Sequence, residues 1–123
     1  MRMKKISVIG LGFVGLPTAC ILADSKNNNS EFKFNVSGID KNIDKIRKLR
    51  VNAKLVYEDD RLNKIVKKVL KANRINFTNK IESVSTTDII LICINFDFNK
   101  RNYSQKLRSL KELFYKIGNN VKK

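Results

Sequence analysis

Ile6-Ser7-Val8-Ile9-Gly10-Leu11-Gly12-Phe13-Val14-Gly15-Leu16-Pro17 is the stretch that decides how this chain folds. A short apolar run breaks at Gly10 and resumes with helical character, and its glycines stand at i, i+2 and i+5. Between a strand and a helix, that spacing marks a turn able to cradle the pyrophosphate of a dinucleotide. Gly10 makes the reversal, Gly12 leaves room for phosphates beside the backbone, and Gly15 lets the helix pack against the strand. The helix N-terminus then presents N–H donors and a partial positive charge to the anion. Leu11, Phe13 and Val14 contribute loop backbone to the same cradle. The alternative reading is a glycine-rich strand-to-helix turn with no ligand.

Downstream, Phe34 to Ile39 reads as a second strand that delivers Asp40 at its carboxyl end. A carboxylate there accepts hydrogen bonds from the adenosine ribose, and it repels a 2′-phosphate, so NAD is expected rather than NADP. Asp40 lies 25 positions past Gly15, more than the usual spacing of about 20, and the polar loop Ser25 to Ser30, with Asn27-Asn28-Asn29, accounts for the excess. Lys41 and Lys45 stand close enough to neutralise part of that charge. Asp40 as a simple cap of the following helix stays open as an alternative.

The remaining elements follow from periodicity. The first strand spans about Lys5 to Ile9 and the first helix about Phe13 to Asp24, with Pro17 tolerated in its first turn. Ile43, Ile46 and Leu49 mark a short basic helix. Leu62, Ile65, Val66, Val69 and Leu70 mark an amphipathic one over about Glu58 to Ala72, opened by acids that suit the helix dipole. Arg74 to Thr78 reads as a strand, Ile81 to Thr87 as a helical turn, and Ile89 to Ile94 as a buried strand. Phe96 to Asn102 reads as a loop. Leu107, Leu110, Leu113, Phe114, Ile117 and Val121 keep helical spacing over about Tyr103 to Val121.

Strands alternating with helices imply an α/β fold, a Rossmann-like doubly wound parallel sheet with strand order 3-2-1-4. At 123 residues the chain holds one domain, 1–123. The usual doubly wound sheet has two further strands beside the fourth, so this sheet is expected to be incomplete. An apolar edge at Ile89 to Ile94 then invites self-association or a complementing chain.

The formal net charge is +15, from 26 Lys and Arg against 11 Asp and Glu. Such a balance raises a basic anion- or nucleic-acid-binding alternative. The excess is mostly Lys and runs alongside many Asn and Ile, so it is a bias of the whole composition, and no nucleic-acid motif accompanies it. Specific nucleic-acid binding is therefore not expected. With two Cys and no His, a zinc site and a Cys–His nucleophile pair are both excluded, and Cys20 and Cys93 read as small core residues. No apolar run is long enough to span a bilayer and no signal peptide precedes the first strand, so a cytoplasmic chain without a membrane is expected.

The opening stretch resembles that of the nucleotide-sugar dehydrogenases, the UDP-glucose, GDP-mannose and UDP-N-acetylmannosamine dehydrogenase family, whose pattern there is close to V-I-G-L-G-Y-V-G-L-P. Ser37-Gly38-Ile39-Asp40, Asn73-Arg74-Ile75-Asn76-Phe77-Thr78 and Thr87-Asp88-Ile89-Ile90-Leu91-Ile92-Cys93-Ile94 resemble its later strands. The resemblance implies an N-terminal NAD-binding domain, with Gly10, Leu11, Gly12, Phe13, Val14, Gly15 and Asp40 on the cofactor. Lys45 falls where the family places a basic residue against the adenosine. It also implies oxidation of a sugar C6 alcohol to a carboxylate with NAD, by residues of central and C-terminal domains that this stretch lacks. Catalytic residues are accordingly expected to be absent here, with a nucleotide sugar bound only if those domains are supplied. A non-catalytic nucleotide-binding module that needs a partner chain is the alternative. After Ile94 the chain departs from the pattern, with Asn95-Phe96-Asp97-Phe98 in place of Pro-Thr-Pro.

Overall fold

The computed structural model describes residues 2–51, 58–95, 99 and 101–122. The elements are β1 (Lys4–Ile9), α1 (Gly15–Asp24), β2 (Phe34–Ile39), α2 (Ile43–Val51), α3 (Asp60–Lys71), β3 (Ile75–Thr78), a 3-10 segment (Ile81–Thr86), β4 (Ile89–Ile92) and α4 (Tyr103–Asn120). All strand pairs are parallel and the order is β3-β2-β1-β4. The expected 3-2-1-4 sheet is therefore the observed one. The chain moves outward from β1 to β3 and then returns to the other side of β1 with β4. This reversal puts a topological switch point at the carboxyl end of β1, where open α/β sheets bind their ligands.

Strand alternation divides the core between two faces. Ile6, Val8, Val36, Ile75 and Phe77 pack with Leu16, Ala19, Cys20 and Ala23 of α1, Ile46 and Leu49 of α2, and Val66 and Val69 of α3. Ile9 and Ile39 point the other way, onto Val84 and Ile117. Register follows from this division, because a slip of one residue would turn each set to the wrong face. Cys20 is fully buried, and burial pushes its thiol up to about 12, so it stays protonated as a small core residue. Cys93 is only half-buried.

Helix ends are set by side chains. Asn42 Oδ1 accepts from the N–H groups of Asp44 and Lys45 at the start of α2. Asp59 Oδ1 does the same for Arg61 and Leu62, so α3 starts at Asp60 rather than Glu58. The Asn-rich loop closes on itself, with Asn27 Oδ1 accepting from Asn29 and Glu31, at the amino ends of the strands and away from the switch point. β4 is not a fully buried strand: it lies at the sheet edge, pairs with β1 alone among the described strands, and leaves Ile89 43% exposed. It ends at Ile92, level with the end of β1, rather than at Ile94. Within the expected loop Phe96 to Asn102, residues 96–98 and 100 lie outside the described ones. No helix among the described residues is long and apolar enough to cross a membrane.

One exposed cluster ties the entry of β1 to β4. Asp88 accepts from Arg2 Nη1 at 2.9 Å, from Arg2 Nη2 at 2.6 Å and from the Lys5 N–H at 2.8 Å. The Arg2 guanidinium and the Lys5 N–H together hold its carboxyl well below the usual carboxylate range. A depressed carboxylate stabilises the fold above its unfolded pKa of about 4 and loses that contribution as pH falls through the folded value. The urea midpoint is therefore expected to fall with acidification below about pH 4, and Asp88→Asn is expected to lower it near neutral pH and flatten the fall. An identical acid profile in the variant would contradict this role.

Candidate functional site

The site forms where β1 and β2 end side by side. Their register is Ile9 opposite Ile39, so the glycine loop and Asp40 leave the sheet at the same level. The Gly10 N–H donates to the Ile39 carbonyl at 2.8 Å, and the Asp40 N–H to the Thr78 carbonyl at 3.2 Å. Three carboxyl ends are thereby joined into one rim.

Gly10 has φ +92°, a conformation that L side chains rarely adopt. A Cβ there would lie 2.6 Å from the Cys93 carbonyl oxygen, so the turn also needs the bare backbone to pass β4. At Gly15 a Cβ would fall 1.6 Å from the Gly10 carbonyl oxygen. These two glycines are required by the turn and by the contact of α1 with β1.

Gly12 differs from both. A Cβ on it meets nothing within 4 Å, and its φ lies outside the left-handed range. Neither backbone conformation nor packing asks for glycine there. A side chain at this position would therefore meet open space.

α1 begins at Gly15, two residues later than the apolar pattern predicts. Phe13 and Val14 belong to the loop and are 84% and 68% exposed. Val14, the residue before the helix, has no side-chain acceptor, and α1 has no acid in its first turn. Its N-terminal end thus keeps the electropositive character that α2 and α3 lose to Asn42 and Asp59. Leu11 turns inward and is fully buried.

Asp40 is tied more firmly than its position alone suggested. Its Oδ2 accepts from the Leu11 N–H at 2.9 Å and from Lys45 Nζ at 3.2 Å, and its Oδ1 accepts from the Asn42 N–H at 2.9 Å. Burial pushes its carboxyl up, but the Asn42 and Leu11 N–H groups and the Lys45 ammonium outweigh that and hold it below the ordinary value. Asp40 does not cap α2, since Asn42 does. The Leu11 amide is committed to Asp40, which makes the carboxylate a clamp on the loop as well as a rim group. Sequence reading missed this clamp. The signal that could have found it is the in-phase ending of two adjacent parallel strands, which sets the residue after Gly10 beside the residue after Ile39.

The structure brings Gly10, Leu11, Gly12, Phe13, Val14, Gly15, Asp40 and Lys45 together around the carboxyl ends of β1 and β2. Asn95 is described, whereas Phe96, Asp97 and Phe98 lie outside the described residues.

Residues 4–123 match the NAD-binding domain of the UDP-glucose/GDP-mannose dehydrogenase family. Protein CapL of Staphylococcus aureus is 32% identical over 108 residues, covering 88% of this chain and 22% of that protein. A UDP-N-acetyl-D-mannosamine dehydrogenase of Methanococcus maripaludis is 33% identical over 92 residues, covering 75% of this chain and 19% of that protein. Among solved structures, an NDP-N-acetyl-D-galactosaminuronic acid dehydrogenase from Methanosarcina mazei Go1 superimposes with a TM-score of 0.75 at 26% identity, covering 98% of this chain and 26% of that one. A UDP-glucose dehydrogenase from Pyrobaculum islandicum gives 0.77 at 23% identity over 95% of this chain and 25% of that one, a likeness of fold. The chain thus spans about a fifth to a quarter of the length of these relatives.

Proposed function

The chain belongs to the UDP-glucose/GDP-mannose dehydrogenase family, as its NAD-binding domain, and from that premise we propose how its residues divide the cofactor between them. The Gly10–Gly15 loop takes the pyrophosphate: Gly12 gives it room, the end of α1 faces its charge, and the backbone of Phe13 and Val14 completes the cradle. Leu11 shapes the loop from below. Asp40 accepts from the adenosine ribose hydroxyls with Lys45 beside it. When bound, NAD supplies a hydride acceptor; this chain's own residues bind and orient its adenosine half. The observation that carries the reading is that neither packing nor backbone conformation calls for glycine at position 12, next to the start of α1 and level with Asp40.

Oxidation of a nucleotide sugar is the activity named for relatives about four times as long. We propose that the 1–123 stretch, as an N-terminal cofactor-binding unit, reaches it only together with central and C-terminal domains that hold the sugar nucleotide. The outer edge of β4 fits pairing with a further strand, from a longer polypeptide, a complementing chain or another copy.

Calorimetric titration with NAD and with ADP-ribose tests the proposal. Both are expected to bind, with modest weakening between low and moderate salt. A rival reading draws on the exposed basic face of α3, where Arg61, Lys64, Lys67 and Lys71 stand in water. Binding by that face would lose affinity steeply with salt, in proportion to the phosphates neutralised. No heat with either nucleotide, in a sample shown to be folded, would contradict the proposal.

A further inference from the structure

We infer that α4 is a dimerisation helix: two copies of this chain pair through antiparallel α4 helices, and the same twofold axis sets β4 of one copy beside β4 of the other. The inference holds whether or not the chain binds a dinucleotide, and it names one occupant for the outer edge of β4. Tyr103, Leu107, Leu110, Phe114, Ile117 and Val121 follow one another at steps of 4, 3, 4, 3 and 4. That is the 3.5-residue period of a helix-pairing seam, narrower than the stripe of a helix that only covers a sheet. Leu113 and Ile117 supply what the sheet needs, packing with Ile9, Ile39 and Val84 and with Ile90 and Ile92 of β4. The rest of the seam is left over: Leu107 and Leu110 are half-buried, and Tyr103, Phe114 and Val121 are exposed.

The steps read the same from either end. Laid antiparallel about residue 112, Tyr103 faces Val121 of the second copy, Leu107 faces Ile117 and Leu110 faces Phe114, so each aromatic ring meets an aliphatic side chain. A contact of this kind is self-complementary and closes at two copies. Helices pack about 8–10 Å apart and strands about 4.8 Å. Because α4 shares a cluster with β4, the outermost strand on its side, an axis perpendicular to the sheet and just beyond β4 serves both spacings. Such an axis reverses the second β4, and antiparallel strands then pair the backbone groups of the two edges. No charge lies on β4 or at the six seam positions, in a chain with 26 Lys and Arg, as the core of an interface requires. Lys111 and Lys116, exposed elsewhere on α4, and a net charge of +15 still set the copies against each other. Association is therefore expected to tighten as salt screens that repulsion, whereas docking of an acidic polypeptide would weaken.

One helix seam and a four-residue strand make a small interface, against the roughly 800 Å² per copy of stable complexes, so the dimer is expected to dissociate reversibly at micromolar concentration. Sedimentation velocity of the 123-residue chain over about 5 to about 500 µM tests this, with circular dichroism to check the fold of each variant. Wild type is expected to pass from 14.2 kDa to twice that mass, and to do so at lower concentration in higher salt. Phe114→Arg is expected to raise the dissociation constant by at least about tenfold, the loss of one aromatic anchor. Tyr115→Arg, a like change one position outside the seam, is expected to leave it unchanged. The two side chains are 54% and 73% exposed, so neither substitution reaches the core. A folded wild-type chain that stays monomeric throughout, or whose mass grows past the dimer, overturns the inference. So does a dimer that Phe114→Arg leaves intact or that Tyr115→Arg dissolves equally. If Phe114→Arg does not fold, the wild-type series decides, and a dimer that weakens as salt rises overturns it.

Discussion

Gly15→Ala is expected to destabilise the fold severely. The added Cβ would stand 1.6 Å from the carbonyl oxygen of Gly10 and 2.8 Å from its carbonyl carbon, both backbone atoms that cannot rotate aside. Relief requires lifting α1 from β1, and α1 carries Leu16, Ala19, Cys20 and Ala23, all fully buried in the larger core. Overpacking of a core ordinarily costs about 1–3 kcal/mol. A backbone clash at a helix–strand contact goes beyond that, towards the 4–5 kcal/mol that marks the severe tail of point mutations. Against a total stability on the order of 5–15 kcal/mol, such a loss takes about a third of it or more. Urea unfolding followed by circular dichroism reads the outcome: a midpoint far below wild type is expected, and a midpoint equal to wild type would contradict the packing described here.

Gly12→Ala is expected to do the opposite. Its Cβ meets nothing, and its backbone is outside the left-handed region, so stability should hold or rise by about 0.4–1 kcal/mol as the unfolded chain loses freedom. NAD affinity should nevertheless fall, by about 10- to 100-fold, or about 1.4 to 2.7 kcal/mol, because the methyl group fills space proposed for the pyrophosphate. Paired urea unfolding and calorimetric titration of the same variant check both halves. A variant that is destabilised would show that Gly12 serves the fold. One that binds NAD as wild type does would show that the space above the loop is not the pyrophosphate site.

The contrast between these glycines explains how far the sequence could be read. Three glycines at fixed spacing announce the turn, and the apolar run before them announces a strand covered on both faces, so the order β3-β2-β1-β4 follows from the dinucleotide-binding form of the doubly wound fold. Spacing does not distinguish a glycine that packing requires from one that leaves space, because that difference depends on Cys93 and on the Gly10 carbonyl, brought near by the fold. Phe13 and Val14 read as helical because they are apolar, yet they sit in the loop in water. Hydrophobicity here marks the loop rather than the buried face of α1. Asp40 was legible as the residue ending β2, but its bond to the Leu11 N–H spans 29 positions and exists only through the register of β1 with β2. β4 reads as buried from composition alone, whereas the strand order already sets it at an edge of the sheet, where Ile89 is exposed.

At 14.2 kDa the chain is small enough for its amides to be followed one by one in solution. The most direct test of the site is an NAD titration monitored by amide nuclear magnetic resonance, which shows where on the molecule the dinucleotide settles. The account predicts that the largest shifts fall on the amides of residues 10–15 and 40–45, with α3 little changed. Shifts confined to the lysine-bearing face of α3, or none at the glycine loop under saturating NAD, would contradict it.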